Sequence, residues 1–256
     1  MSFKPIKSMF INNIIYIILD TDEKRLKLYT STGISQSVFL NINKPFIKNY
    51  FPRSKIEVYR GEHPYGDRIH GLLGCSFFNQ RIWNIDYKRN IIALYSLDIY
   101  KFIKNRIPAY IKSDSPYLSI PISIDKCEYW FIVDTGAYYV RPPDTYDNNA
   151  TYLENREPTS FIMESFVDDL IQRKINIKKA EKADHDGRDM ILIPSIRIGK
   201  YILENPKFIV LKKYCDDTLH TLTDKPIKGS IGGNILKNFN VILNYTESYV
   251  WLKKNK

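Results

Sequence analysis

The sequence predicts an all-β protein with a few short helices. Among its 256 residues, 19 are Tyr and 13 are Phe, and aromatic side chains favour strands over helices. Apolar runs alternate with polar turns in pairs that are typical of β-hairpins. Two glycine-bounded apolar segments also repeat along the chain. A chain of this length suits one large domain or two lobes of ordinary size.

Two similar hairpins are predicted, one in each half of the chain. Their strands are residues 14–19 with 26–30, and residues 118–124 with 129–133. A three-residue motif follows each hairpin: Ser31-Thr32-Gly33 and Asp134-Thr135-Gly136. The second motif puts a carboxylate after a buried strand and before a Thr-Gly turn. The offset between the motifs is 103 residues, so they indicate an internal repeat.

The glycine-bounded segments form a second pair of matching elements. Residues 71–94 align with residues 229–252 at a constant offset of 158, without a gap. Each segment predicts an apolar strand, a short helical turn and a β-hairpin. Because this offset exceeds the first by 55, the second repeat carries an insertion of about that length between its motif and its glycine segment.

The insertion has four predicted parts. Residues 141–158 form a Pro- and Asn-rich loop, and residues 161–175 have the apolar spacing of a helix. A charged stretch follows at residues 178–189. Two strands are then predicted at residues 191–198 and 202–210, with Gly199-Lys200 as the turn between them.

This order of elements resembles the retropepsin-like aspartic peptidases. The duplication makes the chain similar to the bilobed bacterial members of that group, which are built like pepsin from two related lobes. The resemblance implies the acid-protease fold, with two pseudo-symmetric β-barrel-like lobes flanking a cleft. It places an N-terminal lobe at residues 1–108 and a C-terminal lobe, with the insertion, at residues 109–256.

The resemblance also implies roles for individual residues. Asp134 becomes the catalytic aspartate, and Thr32 and Thr135 become the interlocked threonines between the two active-site loops. The residues that support these loops are Thr32, Gly33, Thr135, Gly136 and Ala137. The glycines that pack against them are Gly71, Gly74, Gly229 and Gly232. The candidate flap over the substrate is the polar bend Asp184, His185, Asp186 and Gly187.

Ser31 departs from the pattern of this family. Aspartic peptidases use two carboxylates that share one proton: one activates water and the other polarises the scissile carbonyl. A serine hydroxyl cannot take either part. We therefore expect a monomer in which Asp134 faces Ser31 to lose roughly 10²–10⁴ in rate, the usual contribution of general acid–base catalysis. We also expect Asp134 to titrate like an ordinary carboxylate.

Three functions follow as alternatives. The first is an aspartic peptidase that hydrolyses peptide bonds with a water activated by Asp134, its second carboxylate coming from a homodimer partner. The second is a two-lobed monomer, catalytically impaired, that binds peptides in the cleft because Ser31 replaces the first aspartate. The third is a basic, β-rich binding protein without cleft chemistry, which gives no reason for two matched motifs.

Composition limits the partners further. The net charge of +10 is spread along the chain, without the clustering that nucleic-acid binding needs, so no nucleic-acid partner is expected. The resemblance to the aspartic peptidases implies a peptide or protein substrate. Three scattered cysteines suggest neither a disulfide scaffold nor a metal site. The acidic bend near Asp184 predicts a solvated loop, so no metal and no cofactor are expected. No clear signal peptide or membrane span is predicted, and the sequence leaves the compartment unknown.

Overall fold

The structure is a computed structural model that describes residues 3–21, 24–40, 56–59, 69–95, 104–112, 115–145, 155–212, 221 and 223–255. Most of these residues lie in strands, and the helices among them are short. The predicted all-β class with a few short helices is therefore confirmed. No helix in the described part of the chain is long and apolar enough to cross a membrane.

Within the described residues, the first repeat contains nine strands and one helix. They are β1 (Phe3–Ile6), β2 (Ser8–Ile11), β3 (Ile14–Asp20), β4 (Arg25–Thr30), β5 (Ser37–Leu40), β6 (Ile56–Tyr59), β7 (Gly71–Leu73), α1 (Cys75–Phe78), β8 (Ile82–Asp86) and β9 (Ile91–Tyr95). The predicted hairpin at residues 14–30 corresponds to β3 and β4.

The second repeat contains the remaining elements. They are β10 (Ile107–Pro108), β11 (Tyr110–Lys112), β12 (Ser115–Ile124), β13 (Cys127–Val133), β14 (Tyr138–Val140), a 3₁₀ turn (Pro143–Thr145), β15 (Arg156–Pro158), β16 (Phe161–Met163), α2 (Glu164–Gln172), β17 (Lys178–Ala180), β18 (Met190–Leu192), β19 (Ser195–Ile198), β20 (Tyr201–Glu204), β21 (Lys207–Leu211), β22 (Ile227–Ile231), α3 (Gly233–Leu236), β23 (Phe239–Asn244) and β24 (Tyr249–Lys254).

Two sheets repeat the same arrangement of five strands. The first contains the order β3-β4-β7-β5-β6, and the second contains β12-β13-β22-β16-β21. In both, the successive pairs are antiparallel, parallel, antiparallel and parallel. The registers also match, because Leu28 lies beside Gly71 in one sheet and Phe131 lies beside Gly229 in the other. The repeat in the sequence is therefore a repeat in topology and register.

A third sheet joins the two repeats in the order β1-β9-β8-β23-β24-β10. At its centre β8 pairs with β23, with Asn84 opposite Ile242 and Ile82 opposite Asn244. Because the two hairpins are offset by 158 residues, this register maps onto itself when the repeats are exchanged. A local two-fold axis therefore passes near the pair Asn84 and Ile242.

The inserted segment differs from its prediction in three places. The helix is shorter than residues 161–175, because residues 161–163 form β16, which is hydrogen-bonded between β21 and β22. Each of the two predicted strands is split near a proline, Pro194 or Pro206, since proline donates no backbone hydrogen bond. The predicted loop at 141–158 contributes β15, which pairs with β14; residues 146–154 lie outside the described residues.

One hydrophobic core runs through both repeats. Its members include Phe39 and Trp83 from the first repeat and Phe131 and Phe208 from the second, all fully buried. The sheets that carry the two motifs are thus packed into one body, which fixes the position of one motif relative to the other.

Gly229 allows β22 to approach β16 closely. A Cβ at Gly229 would lie 2.1 Å from the carbonyl oxygen of Phe161, so we expect Gly229→Ala to destabilise the protein by about 3 kcal/mol. The control is Gly187→Ala, where no atom lies within 4 Å of the added carbon and only the left-handed backbone costs about 1 kcal/mol. Urea unfolding of both variants gives the comparison; equal losses would contradict the packing argument.

Candidate active site

The two motifs lie at equivalent ends of β4 and β13. The strands run parallel to β7 and β22, and each motif continues the pairing by one hydrogen bond. The backbone N–H of Ser31 donates to Leu73 O at 3.0 Å, and that of Asp134 donates to Ile231 O at 2.8 Å. Both acceptors occupy the same place in the repeat, so Ser31 and Asp134 leave their strands in the same way.

The side chains of Ser31 and Asp134 meet across the local two-fold axis. The Ser31 hydroxyl donates to Oδ1 of Asp134 at 2.9 Å. The Gly136 N–H donates to the same Oδ1 at 3.0 Å, and the Gly33 N–H lies 3.3 Å from Ser31 Oγ and 3.2 Å from Asp134 Oδ1. Each motif glycine thus donates to the side chain two residues before it, which makes Ser31 Oγ the counterpart of Asp134 Oδ1.

The Thr32 hydroxyl connects the two loops. It donates to Val133 O at 2.6 Å and accepts from the Thr135 N–H at 3.0 Å, while its distance from Thr135 Oγ1 is 3.5 Å. Both threonines are buried, at 0% and 1% exposure. A buried hydroxyl that satisfies two backbone groups of the other repeat holds the loops in one relative position.

Glycine is required at the third position of both motifs because the loops approach each other closely. A Cβ at Gly33 would lie 2.2 Å from Oδ2 of Asp134, and a Cβ at Gly136 would lie 2.4 Å from Thr30 O and 2.6 Å from Ser31 Cβ. A larger residue at either position would separate Ser31 from Asp134.

The four glycines of the repeated segments have two kinds of neighbour. A Cβ at Gly74 would approach Ile34 O of the first loop, and one at Gly232 would approach Ala137 Cβ of the second. The other two, Gly71 and Gly229, instead face the strands that follow the loops, β5 and β16. One pair therefore contacts the loops directly, whereas the other brings neighbouring strands together.

Burial raises the pKa of Asp134 above its ordinary value. The hydrogen bonds from Ser31 and from the backbone N–H groups of Gly136, Gly33 and Ala137 act in the opposite direction and do not cancel that effect. The expectation of an ordinary carboxylate is therefore wrong: a single carboxyl group that is largely removed from water holds its proton more tightly. Asp134 nevertheless retains partial exposure to solvent.

Buried tyrosines surround this carboxyl group. Burial raises the pKa of Tyr29, Tyr87, Tyr117 and Tyr245, and the charge of Asp134 raises it further in each case. Tyr87 and Tyr245 are equivalent residues, because the offset of 158 relates them. That alignment was the sequence signal that could have identified them, although the sequence assigned them no role.

The hairpin of β14 and β15 begins directly after the second motif. Tyr138 packs edge-to-face on Tyr29 at 6.0 Å between ring centroids, and the Tyr29 hydroxyl donates to Gly136 O. The guanidinium of Arg156, itself 1% exposed, lies 4.2 Å from the centre of the Tyr138 ring. Asn12 donates to the Arg156 carbonyl at 3.1 Å, so this hairpin also contacts the first repeat. The sequence carried no signal for Arg156, which lay in a predicted loop.

The candidate flap lies between β17 and β18, in the same sheet as the second motif. Its backbone contacts the β14–β15 hairpin, because the His185 N–H donates to Val140 O at 2.9 Å. Asp184 is 3% exposed and forms an ion pair with Arg188, which also pairs with Asp186. Gly187 has a left-handed φ of 69°, as expected at a tight bend. The flap role of this bend stays a prediction.

The described residues contain no group of three or more His, Cys, Asp or Glu side chains that could hold a metal ion.

No protein-family model matches the chain, and no curated protein is significantly similar to it. The residues of the site are therefore the basis for its proposed chemistry.

The hydrogen bond from Ser31 gives a testable effect on the titration of Asp134. We expect Asp134 to titrate above the usual range for aspartate, and Ser31→Ala to raise its pKa further, because the variant removes a donor to the charged form. NMR titration of the Asp134 carboxyl carbon measures both values. A lower pKa in Ser31→Ala would contradict the assignment.

The same titration should appear in stability. Since the folded-state pKa is raised, the stability that Asp134 contributes is present at low pH and is lost as the pH rises through that pKa. Asp134→Asn should therefore match the wild type at low pH and become relatively more stable as the pH rises.

Thr32→Val tests the connection between the loops. It removes one hydroxyl and leaves Val133 O and the Thr135 N–H without that partner, so we expect a loss of about 3 kcal/mol in unfolding free energy. Thr32→Ser keeps the hydroxyl and is the matched control, expected to lose less. Chemical denaturation distinguishes them, and similar losses in both variants would rule out the hydroxyl as the cause.

Proposed function

We propose that this chain is an impaired relative of the aspartic peptidases that binds extended peptides at the Ser31–Asp134 pair. The observation that carries the proposal is the contact between Ser31 Oγ and Asp134 Oδ1 at 2.9 Å, with the Gly136 N–H donating to Asp134 Oδ1 and the Gly33 N–H shared between both oxygens. It has the local symmetry of a carboxylate dyad, but it contains a single carboxyl group.

The chemistry of Asp134 suits a peptide group. Burial raises the pKa of Asp134 and so favours its protonated form relative to an exposed aspartate, and a protonated carboxyl both donates and accepts a hydrogen bond. A peptide group offers one N–H and one C=O to match. Ile34, directly after the first motif, is 39% exposed, and its apolar side chain can contact a side chain of the bound peptide.

The absence of a carboxyl at Ser31 limits hydrolysis. When Asp134 takes the proton of an attacking water, a second acid is needed to protonate the carbonyl oxygen. The Ser31 hydroxyl donates a hydrogen bond but is far too weak an acid to transfer its proton. Peptide binding therefore needs no further group, whereas efficient hydrolysis does.

The contacts of Ser31 support a monomeric site over a homodimeric one. Ser31 is 2% exposed and its hydroxyl occupies the position from which a partner's Asp134 would have to approach. Bringing two Asp134 loops together would also break the buried contacts of Thr32 with Val133 and Thr135. The two-lobed alternative thus requires no rearrangement, and the homodimer does.

Slow hydrolysis by a water that Asp134 activates is the second candidate. It is favoured by the partial exposure of Asp134, which allows water to reach the carboxylate while most of its surroundings are protein.

Restoring the second carboxylate is the decisive experiment. We expect Ser31→Asp to raise cleavage of an unstructured protein substrate by roughly 10²–10⁴-fold between about pH 3 and pH 7, because it supplies the missing acid. Adding Asp134→Asn should return the rate to the wild-type level or below. In the wild-type background, Asp134→Leu, which can neither donate nor accept a hydrogen bond, should weaken peptide binding measured by calorimetry.

The result that would count against the proposal is equally specific. A folded Ser31→Asp variant without increased cleavage, together with peptide binding that Asp134→Leu leaves unchanged, would exclude this site. Solution mass over a range of concentrations provides the control on the assembly, and a monomer is expected throughout.

A further inference from the structure

We propose that the Ser31–Asp134 site takes a carboxyl group from its ligand as the second member of the dyad. This inference rests on the proposed function and specifies its ligand class: peptides with an acidic side chain or a free C-terminus near the bound peptide group, or small carboxylic acids.

The side-chain oxygens Ser31 Oγ and Asp134 Oδ1 occupy equivalent places in the two repeats. The Gly33 N–H lies 3.3 Å from Ser31 Oγ and is shared with Asp134 Oδ1 at 3.2 Å, and the Gly136 N–H lies 3.0 Å from Asp134 Oδ1, so each glycine donates to the side chain two residues before it. Ser31 Oγ therefore stands for one oxygen of the carboxylate that the two-fold arrangement would hold. A serine has no second oxygen there, so the difference between this site and a complete dyad is the outer part of one carboxyl group.

The backbone hydrogen bonds around Ser31 and around Asp134 are also equivalent. The backbone hydrogen bonds of Ser31 to Leu73 and of Asp134 to Ile231 are equivalent. Gly74 and Gly232 also donate to equivalent serine hydroxyls, those of Ser37 and Ser160, at 3.2 and 3.0 Å. A carboxyl group that enters the site thus meets a frame already arranged around two opposed side chains.

The exposure of Asp134 and the net charge of the chain both suit an acidic ligand. Asp134 retains partial exposure while Ser31 is buried, so an entering group approaches the Asp134 carboxyl from the solvent side. Two carboxyl groups in contact share one proton, because both cannot be ionised at low cost. The net charge of +10 favours the approach of acidic ligands.

The completed pair can perform hydrolysis with balanced proton transfers. Water attacks the peptide carbonyl carbon, its proton passes to the Asp134 carboxylate, and the ligand's carboxylic acid protonates the carbonyl oxygen. When the C–N bond breaks, Asp134 returns its proton to the leaving nitrogen. A hydroxyl proton of the diol restores the ligand's carboxylic acid, and the products are a carboxylic acid and an amine.

The experiment compares two sources of the carboxyl group. One arm measures binding of a peptide that contains a central glutamate against the same peptide with glutamine, at about pH 5, where we expect about tenfold tighter binding of the glutamate peptide by the wild type. The other arm adds formate, with chloride as the salt control, and measures binding of ¹³C-formate by NMR and cleavage of the glutamine peptide.

Variants link either effect to this site. Asp134→Leu, which offers no hydrogen bond to a carboxyl group, should remove the preference for glutamate and the formate signal. Ser31→Asp already carries a second carboxylate, so its cleavage should not respond to formate. An effect confined to the peptide arm identifies a peptide carboxyl as the ligand, and an effect confined to formate identifies a free acid.

The inference is overturned if the two peptides bind equally and formate neither binds nor changes cleavage. That outcome, combined with increased cleavage by Ser31→Asp, would leave the proposed function intact. Because formate binding is measured directly on the wild type, its absence would overturn the formate arm whether or not a variant folds.

Discussion

The buried hydroxyl of Thr32 is the contact on which the geometry of the site depends. It satisfies one carbonyl and one N–H on either side of Asp134, and both groups would otherwise be buried without that partner, at a cost of about 1–3 kcal/mol each. Because these groups flank Asp134, the hydroxyl that joins the repeats also sets the distance between Ser31 and Asp134. Stability and site geometry are therefore coupled through one side chain.

The repeated part of the fold could be predicted from sequence because its signals are local. The hairpin of β12 and β13 turns at Asp125 and Lys126, both with left-handed φ, and polar residues at such a turn are visible in the sequence. The constant offset between the glycine segments likewise predicted matching elements. The pairing of β8 with β23 was not predicted, although its register is symmetric about Asn84 and Ile242 and so agrees with the same offset.

The inserted part could not be predicted as well, because its structure depends on distant partners. Phe161 has the spacing of a helix with the residues after it, yet it pairs with Ser230 and Ile209 on two neighbouring strands. Arg156 likewise follows a polar segment, and its burial depends on Tyr138 and on Asn12 in the other repeat. The raised pKa of Asp134 also depends on distant partners, because it is caused by burial in the folded chain.

The serine in the first motif has a physical consequence beyond the loss of an acid. Two carboxylates at the distance of Ser31 and Asp134 would repel each other unless they shared a proton. As the pH rises and that proton is lost, the repulsion lowers the stability of the folded state. The Ser31 hydroxyl donates a hydrogen bond to Asp134 and accepts one from Gly33. It makes both contacts without a second charge. A single carboxyl group at this pair therefore avoids the repulsion between two like charges. In the proposal made above, the second carboxyl group arrives with the ligand, so both acids would be present only when a suitable ligand is bound.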